Sequence, residues 1–356
     1  MFKNPDSLHR IYWFSFVVTL LSFVLVGIMN GVEALLTVLV LSALEITFSF
    51  DNAVVNAKVL QKMSPFWQQA FMTVGIFVAV FGMRLVLPVV LVAVTAGISM
   101  ADVVNLALNR PVEYAEYLTL AHPIIASFGG MFLLMIFIEF ILDYGREVHW
   151  IRAIERPLMK IGRLRQIAPL LALIVLVVAT QALGGDHKFE VLSSGVFGLT
   201  LYLIIRTLAE IFELKQQKHK GHNILDHRAV MKAGLVNFLY LELLDASFSL
   251  DGVIGAFAIT NMVLLIAVGL GVGALWVRSM TIHMVRHNTL AKYRYLDHGA
   301  HYAIGALAVM MLIGIRYEIY EAITGTVGIV IIVFAFWSSW HYNRIHKPEK
   351  ADLHRF

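Results

Sequence analysis

The sequence predicts an all-α protein, a polytopic transmembrane helical bundle of about ten spans arranged as an inverted repeat. Three observations carry that prediction: an apolar composition, ten long apolar stretches whose flanking charges alternate in sign, and an acidic motif that returns 200 residues later. Of 356 residues, 59% are hydrophobic and only 15% are Asp, Glu, Lys or Arg, against roughly 25% charged in an ordinary soluble domain. So few charges cannot cover a soluble protein of this size, which excludes a soluble enzyme. There is no cysteine, so disulfides, thiolate metal sites and thiol chemistry are excluded as well.

The apolar stretches lie at about 11–30, 34–56, 69–97, 118–142, 167–184, 195–214, 230–256, 259–283, 299–316 and 325–342. A helix needs about 20 apolar residues to cross a ~30 Å hydrocarbon core. Backbone groups must be satisfied internally in lipid, so these segments are expected to be helices. The segments 167–184 and 299–316 are the shortest, and either is a candidate for a tilted or re-entrant path. The first stretch, after Lys3 and Arg10, reads as a retained span rather than a signal peptide.

Charge placement orients the spans. Lys3 and Arg10, Lys58 and Lys62, Arg146 to Arg165, Lys215 to Lys232, Arg278 to Arg294 and Arg344 to Arg355 all fall on one set of connections. The alternate connections lean acidic, with Glu33, Asp102, Glu113, Glu116, Asp186, Glu190, Glu318 and Glu321. The positive-inside rule then predicts an inner-membrane protein with both termini cytoplasmic. The net charge of +4 is thus topological, and no nucleic-acid partner is expected. Two membrane halves are predicted, 1–184 and 185–356, with a cytoplasmic basic loop at 143–166. That loop suits a short amphipathic helix on the inner leaflet, with Trp150, Ile151, Ile154 and Leu158 toward lipid.

The second and seventh spans carry the repeat. Glu45, Thr47, Phe48, Ser49 and Asp51 align without a gap on Asp245, Ser247, Phe248, Ser249 and Asp251. Five crossings separate the copies, so they face opposite ways across the membrane, as in inverted-repeat transporters. Gly75 and Arg84 echo Gly269 and Arg278, each pair nine residues apart. A carboxylate near the bilayer centre costs at least about 2.5 kcal/mol, so these acids must pair, hold protons, line water or bind a cation.

Helical phase places Glu45, Ser49, Asn52 and Asn56 on one stripe, and Glu242, Asp245 and Ser249 on its counterpart. Asp51 and Asp251 lie about 120° off those stripes on regular helices. A local break at the Asp51–Asn52 and Asp251–Gly252 steps is expected to turn them inward. Oxygen-rich side chains of this kind suit a hard divalent cation as substrate, with Mn²⁺ favoured and Ca²⁺ or Mg²⁺ as alternatives. The expected metal set is Glu45, Asp51, Asn52, Glu242, Asp245 and Asp251; the expected coupling or gating residues are Arg84, Thr47, Ser49, Asn56, Ser247 and Ser249. A proton relay and a structural packing network are the competing readings of the same residues. Arg84 is either a balance or gate for the acids or a structural or snorkelling charge. Pro88 should bend or end its helix. His298 and His301 have a spacing that admits one metal, though solvated histidines are the simpler expectation.

The stretch Glu45-Ile-Thr-Phe-Ser-Phe-Asp-Asn-Ala-Val-Val-Asn-Ala57 resembles the signature helix of TerC-like integral membrane proteins. The segments Leu241–Gly252 and Tyr295–His301 resemble a branch of that group without assigned function. The resemblance covers nearly the whole chain. It implies an exporter of the LysE type, associated with manganese export and tellurium resistance, with metal-handling roles for Glu45, Asp51, Asn52, Asp245 and Asp251. The expected partners are the lipid bilayer and the metal ion, and a homo-oligomer is allowed. No organic cofactor and no enzymatic activity are expected, since no nucleotide-binding loop, nucleophile elbow or zinc-protease spacing occurs. The alternative function is a membrane scaffold or stress-complex component whose acids form a structural network.

Overall fold

The computed structural model describes residues 8–164, 166–219, 227–317 and 319–345, without the side chains of residues 8, 10, 213–219, 227–230, 250, 251 and 321. The expected topology charges Lys3, Arg165, Lys220, Glu318, Lys347, Lys350 and Arg355 lie outside the described residues, as do the side chains of Arg10, Lys215, Lys218, Arg228 and Glu321. Among the described residues every regular element is helical. In chain order these are α1 (Leu8–Phe48), α2 (Phe50–Leu60), α3 (Pro65–Ala70), α4 (Leu87–Ala96), α5 (Met100–Asn109), α6 (Pro111–Leu142) and α7 (Arg152–Ile161). They continue as α8 (Ile167–Leu183), α9 (Lys188–His219), α10 (His227–Ala256), α11 (Val263–Arg286), α12 (Thr289–Lys292), α13 (Leu296–Gly314) and α14 (Glu321–Ile345). Between α3 and α4 the chain keeps coiling through wide π turns at Phe71–Gly75 and Val78–Val86. The helix therefore runs on through Pro88, which follows the widened turns where the clash with the preceding carbonyl is relieved.

Among the described residues eight helices are long and apolar enough to cross a bilayer, so the chain is a multi-pass membrane protein. The first of them is a hairpin. Gly31 sits at φ 84° and ψ −177°, a region open essentially to glycine alone, and it divides α1 into two arms. Ser15 bonds to the Leu275 carbonyl at 3.1 Å and Ser279 to the Ile11 carbonyl at 3.4 Å, so the first arm runs antiparallel to α11. Along the second arm, Ser42 bonds to the Gly269 carbonyl at 2.9 Å and Glu45 packs on Gly273, the same direction as α11. The separate spans expected at 11–30 and 34–56 are these two arms, with α2 extending the second. The segment expected at 167–184 is α8, whose 17 residues are short of a full crossing. Its partner in doubt, α13, has 19 residues and qualifies.

Packing sorts the helices. In the most apolar stretch of α6, 78% of residues are buried, and 72% in α11, against 17% in α1. So α6 and α11 are central, with α10 and α13 beside them. The first arm of α1 turns Trp13, Phe14, Leu20 and Leu21 outward, and α14 does the same with Phe334 and Trp337. Those faces are apolar because lipid covers them.

The two halves interleave. The α10–α11 connection is a short antiparallel turn, with Glu242 and Asp245 facing Arg278 across it. Since the second arm of α1 runs along α11, it runs against α10. The two copies of the acidic motif therefore point in opposite directions, as an inverted repeat requires. The glycine echo is also structural: the Gly269 carbonyl accepts Ser42, and Gly75 packs on Glu242, which are matching positions of the repeat.

The basic loop folds as expected into a helix, α7, and Ile151 and Ile154 are exposed. Trp150 and Leu158 are half-buried instead of lipid-facing, and Leu158 packs on the main core. The reason is Glu155. It is fully buried and accepts the Trp150 and Ile151 backbone N–H groups, Arg146 at 3.2 Å and the Tyr302 hydroxyl at 3.3 Å. This carboxylate both caps α7 and docks it on α13.

Candidate functional site

The repeat acids meet in the interior, but as three separate arrangements. Glu45, near the end of α1, accepts Arg84 from the second π stretch, and Arg84 also donates to the Ala79 carbonyl at 2.7 Å. Ser49 donates to the same Glu45 oxygen at 3.0 Å. On the other side, Arg278 bridges Glu242 and Asp245, each at 3.1 Å, and donates to the Phe71 carbonyl at 3.0 Å. Arg84 and Arg278 are each 3% exposed. At that depth a guanidinium persists only beside a carboxylate, because the cost of removing either charge from water is several kcal/mol.

Asp51 is the third arrangement. It is buried, and its carboxylate accepts the Asn52 N–H at 2.9 Å. Among the described residues no cation pairs with it. It lines a cavity of about 40 Å³ together with Glu45, Ser49, Phe248, Gly252 and Thr324. That volume admits a cation with one or two waters, given the ~10–15 Å³ that one water needs. Gly328 leaves room at the carboxylate: a Cβ there would sit 3.6 Å from Asp51 Oδ2. Both copies of the motif contribute to this cavity, through Glu45 to Asp51 and through Phe248 and Gly252.

Asp51 turns inward through a helix break, but not at the expected step. The break is at Ser49, between α1 and α2, and α10 runs unbroken through Asp251 and Gly252. Ser49 lies in the gap at φ −95° and ψ 17°, and its hydroxyl bonds to Glu45, one turn back. Asn52 follows Asp51 and donates to Asp245 at 3.4 Å, tying the two copies together. The Oδ1 atoms of Asn52 and Asn56, one turn apart on α2, are buried without a hydrogen-bond partner among the described residues.

Several expected residues stand elsewhere. Thr47 is exposed and bonds back to the Ala43 carbonyl, because its position falls on the lipid side of the α1 arm. Ser247 is buried and likewise bonds back, to Leu243. Ser249 is buried. The side chain of Asp251 lies outside the described residues. Among the described residues no group of three or more His, Cys, Asp or Glu is disposed to hold a metal ion. The described part of the expected ligand set is thus divided between two arginine-bound centres and the lone Asp51. Counting each group as ionised, four carboxylates against two guanidiniums leave a net charge of −2, the amount a divalent cation cancels.

Arg278 is the residue that charge counting misplaces. Its position late in the eighth span reads as a cytoplasmic anchor, yet it is buried inside α11. The Gly-to-Arg echo of nine residues is the sequence signal that pairs it with Arg84. His298 and His301 are also buried rather than solvated. His298 bonds to the Val148 carbonyl at 2.9 Å and His301 to the Asp297 carbonyl at 2.7 Å, with His301 stacked on Phe140. Beside them Lys58 and Asp297 pair at 2.8 Å, joining α2 to α13 at the basic end of the bundle. A larger cavity of about 890 Å³ opens at that end, lined by Glu139, Asp143, Tyr202, Arg206 and Tyr240 among others. It shares no residue with the smaller one. Arg206 pairs with Glu210 one turn on along α9 at 3.0 Å, and also holds Glu139 of α6.

Residues 50–346 match a family described as a protein of unknown function (DUF475). No curated protein and no solved structure matches the chain.

Proposed function

The chain belongs to this DUF475 family, and from its own site we propose that it is a secondary transporter of a divalent metal cation, with export of Mn²⁺ the leading case. The observation that carries the reading is the cavity at the meeting point of two inverted acidic motifs, with Asp51 in it free of any basic partner among the described residues. Asp51 is the first ligand, because its charge is not already compensated. Glu45 and Ser49 are next to it. Their oxygens reach the ion when Glu45 exchanges Arg84 for it, so the arginine acts as a tethered counter-ion for the empty carrier. Arg278 plays the matching part for Glu242 and Asp245. Alternating access then rocks one repeat against the other around this point. The Lys58–Asp297 pair, on the basic side of the cavity, is the contact that opens toward that side. The same carboxylates take protons when the ion leaves, which couples export to a proton gradient. In this reading the membrane is the inner membrane, both termini are cytoplasmic, and the TerC-like motif links the chain to metal or tellurium resistance.

The test is Mn²⁺ flux into sealed liposomes holding the purified protein, with Ca²⁺ and Mg²⁺ as comparisons. Saturable Mn²⁺ flux that disappears in folded Asp51→Asn protein supports the carrier. A parent protein with no flux under any pH or voltage gradient refutes it, and flux indifferent to pH refutes the proton coupling alone.

A second reading has its own observation. Glu45, Glu242 and Asp245 are already held by arginines, as a structural network in a membrane scaffold would hold them. Loss of folded protein in Asp51→Asn, with no flux in the parent, favours the scaffold.

A further inference from the structure

We infer that His283 and His287 form a second metal site, for an exchangeable transition ion such as Zn²⁺, Co²⁺, Ni²⁺ or Cu²⁺, at the basic end of α11. The two residues are one helical turn apart, and their rings lie 4.3 Å apart between centroids at an interplanar angle of 38°. Spacing of i and i+4 puts both imidazoles on one helix face. The decisive feature is what the rings lack. Both rings are half-buried, yet His283 Nδ1 and His287 Nε2 are themselves buried, and neither has a hydrogen-bond partner among the described residues.

A neutral imidazole has one donor and one acceptor nitrogen, and buried ones are normally satisfied. Leaving such a group unpaired forfeits its hydration with nothing in return. Here two occur within a single ring pair. Among the described residues, Tyr12 packs its ring 5.9 Å from His283, Lys292 lies within electrostatic reach of it, and Ile282 and Val285 belong to the apolar cluster around Leu60 and Phe71. One divalent ion between the rings would satisfy both nitrogens with bonds of ~2.0–2.1 Å.

Ligand chemistry separates this site from the acidic cavity. Imidazole favours Zn²⁺, Cu²⁺ and Ni²⁺, whereas carboxylate and carbonyl oxygens favour Mn²⁺, Mg²⁺ and Ca²⁺. Among the described residues no third His, Cys, Asp or Glu completes the pair, so water fills the remaining positions. Structural zinc sites use four protein ligands; a two-ligand site exchanges its ion. It lies on the helix that carries Arg278, five residues further on, so occupancy here bears on the element that holds Glu242 and Asp245. The inference stands whether or not the acidic cavity transports anything.

The experiment is a titration of untagged full-length protein in detergent with Zn²⁺, and with Co²⁺ read by its visible absorption. The expected result is one saturable Zn²⁺ per chain, not displaced by equal Mn²⁺ and retained in Asp51→Asn. His283→Ala and His287→Gln should each weaken it by about 10–100-fold or more, the loss that even outer-shell partners of a metal produce. No binding by the parent, or binding unchanged in both folded variants, overturns the inference. Should neither variant fold, the spin-resonance spectrum of Cu²⁺ bound to the parent decides: coupling to two imidazole nitrogens supports the site and its absence refutes it.

Discussion

Replacing Arg84 by Gln removes the guanidinium that faces Glu45 while leaving most of its side-chain volume. Both partners are interior, with the arginine side chain 1% exposed and the glutamate 8%. Truncating one member of such a pair strands the other charge, which typically costs about 3–5 kcal/mol. The Ala79 carbonyl loses its 2.7 Å partner as well, so the upper part of that range is expected. The double variant Glu45→Gln/Arg84→Gln has no stranded charge and should recover most of the loss. The exposed pair Arg110–Glu113, with side chains 71% and 41% accessible, is the control; its disruption should cost no more than ~1 kcal/mol. Stability is read from denaturant unfolding of the purified protein in detergent, as a double-mutant cycle. The same variant makes a second, opposite statement about function. If Arg84 is the counter-ion that a metal displaces, Arg84→Gln frees Glu45, and Mn²⁺ should bind more tightly while the fold weakens. A single-variant cost below ~1 kcal/mol would refute the buried-pair account. Weaker Mn²⁺ binding in folded Arg84→Gln protein would refute the exchange.

Three other perturbations test separate parts of the structure. Gly328→Val places methyl groups beside Asp51 Oδ2, at the 3.6 Å approach of its Cβ; flux should disappear with folding intact, and unchanged flux would detach transport from that cavity. Gly31→Ala forces a side chain onto φ 84° at the α1 hairpin, a strain of about 1–3 kcal/mol that unfolding should register. Glu155→Gln weakens the hold of α7 on α13, since the fully buried carboxylate gathers Arg146, Tyr302 and two backbone N–H groups. Amide exchange should then rise across 150–161 and stay unchanged in α11, and equal protection of α7 in the two proteins would contradict its role as the anchor.

How much was legible in the chain follows from which properties are additive. Hydropathy sums residue by residue, so the helical segments could be read off, including the two arms that meet at Gly31. The repeat was legible because its residues are contiguous and in register. Arg278 was not, because a basic residue near the end of an apolar run looks the same whether it snorkels or turns inward; only contact with Glu242 and Asp245 distinguishes the two. The break at Ser49 was missed for a related reason. Glycine and Asp-Asn steps suggest local flexibility, but the break occurs at Ser49, whose φ of −95° and ψ of 17° are set by packing between segments. His283 and His287 carry no signal of their own in the sequence, because the nitrogens that lack a partner among the described residues are a property of burial.

By itself, then, the sequence determined that this is an all-helical multi-pass membrane protein with an acidic motif in two inverted copies. Those properties depend on transfer from water to lipid and on the 3.6-residue period, and both act within a segment. Only the tertiary structure decided that two arginines neutralise three of the acids, that Asp51 faces a cavity with no basic partner among the described residues, and that Glu155 carries the docking of α7. Each of these is an electrostatic pairing between segments, whose energy falls off with distance and rises as water is excluded. The distances exist only once the helices have packed.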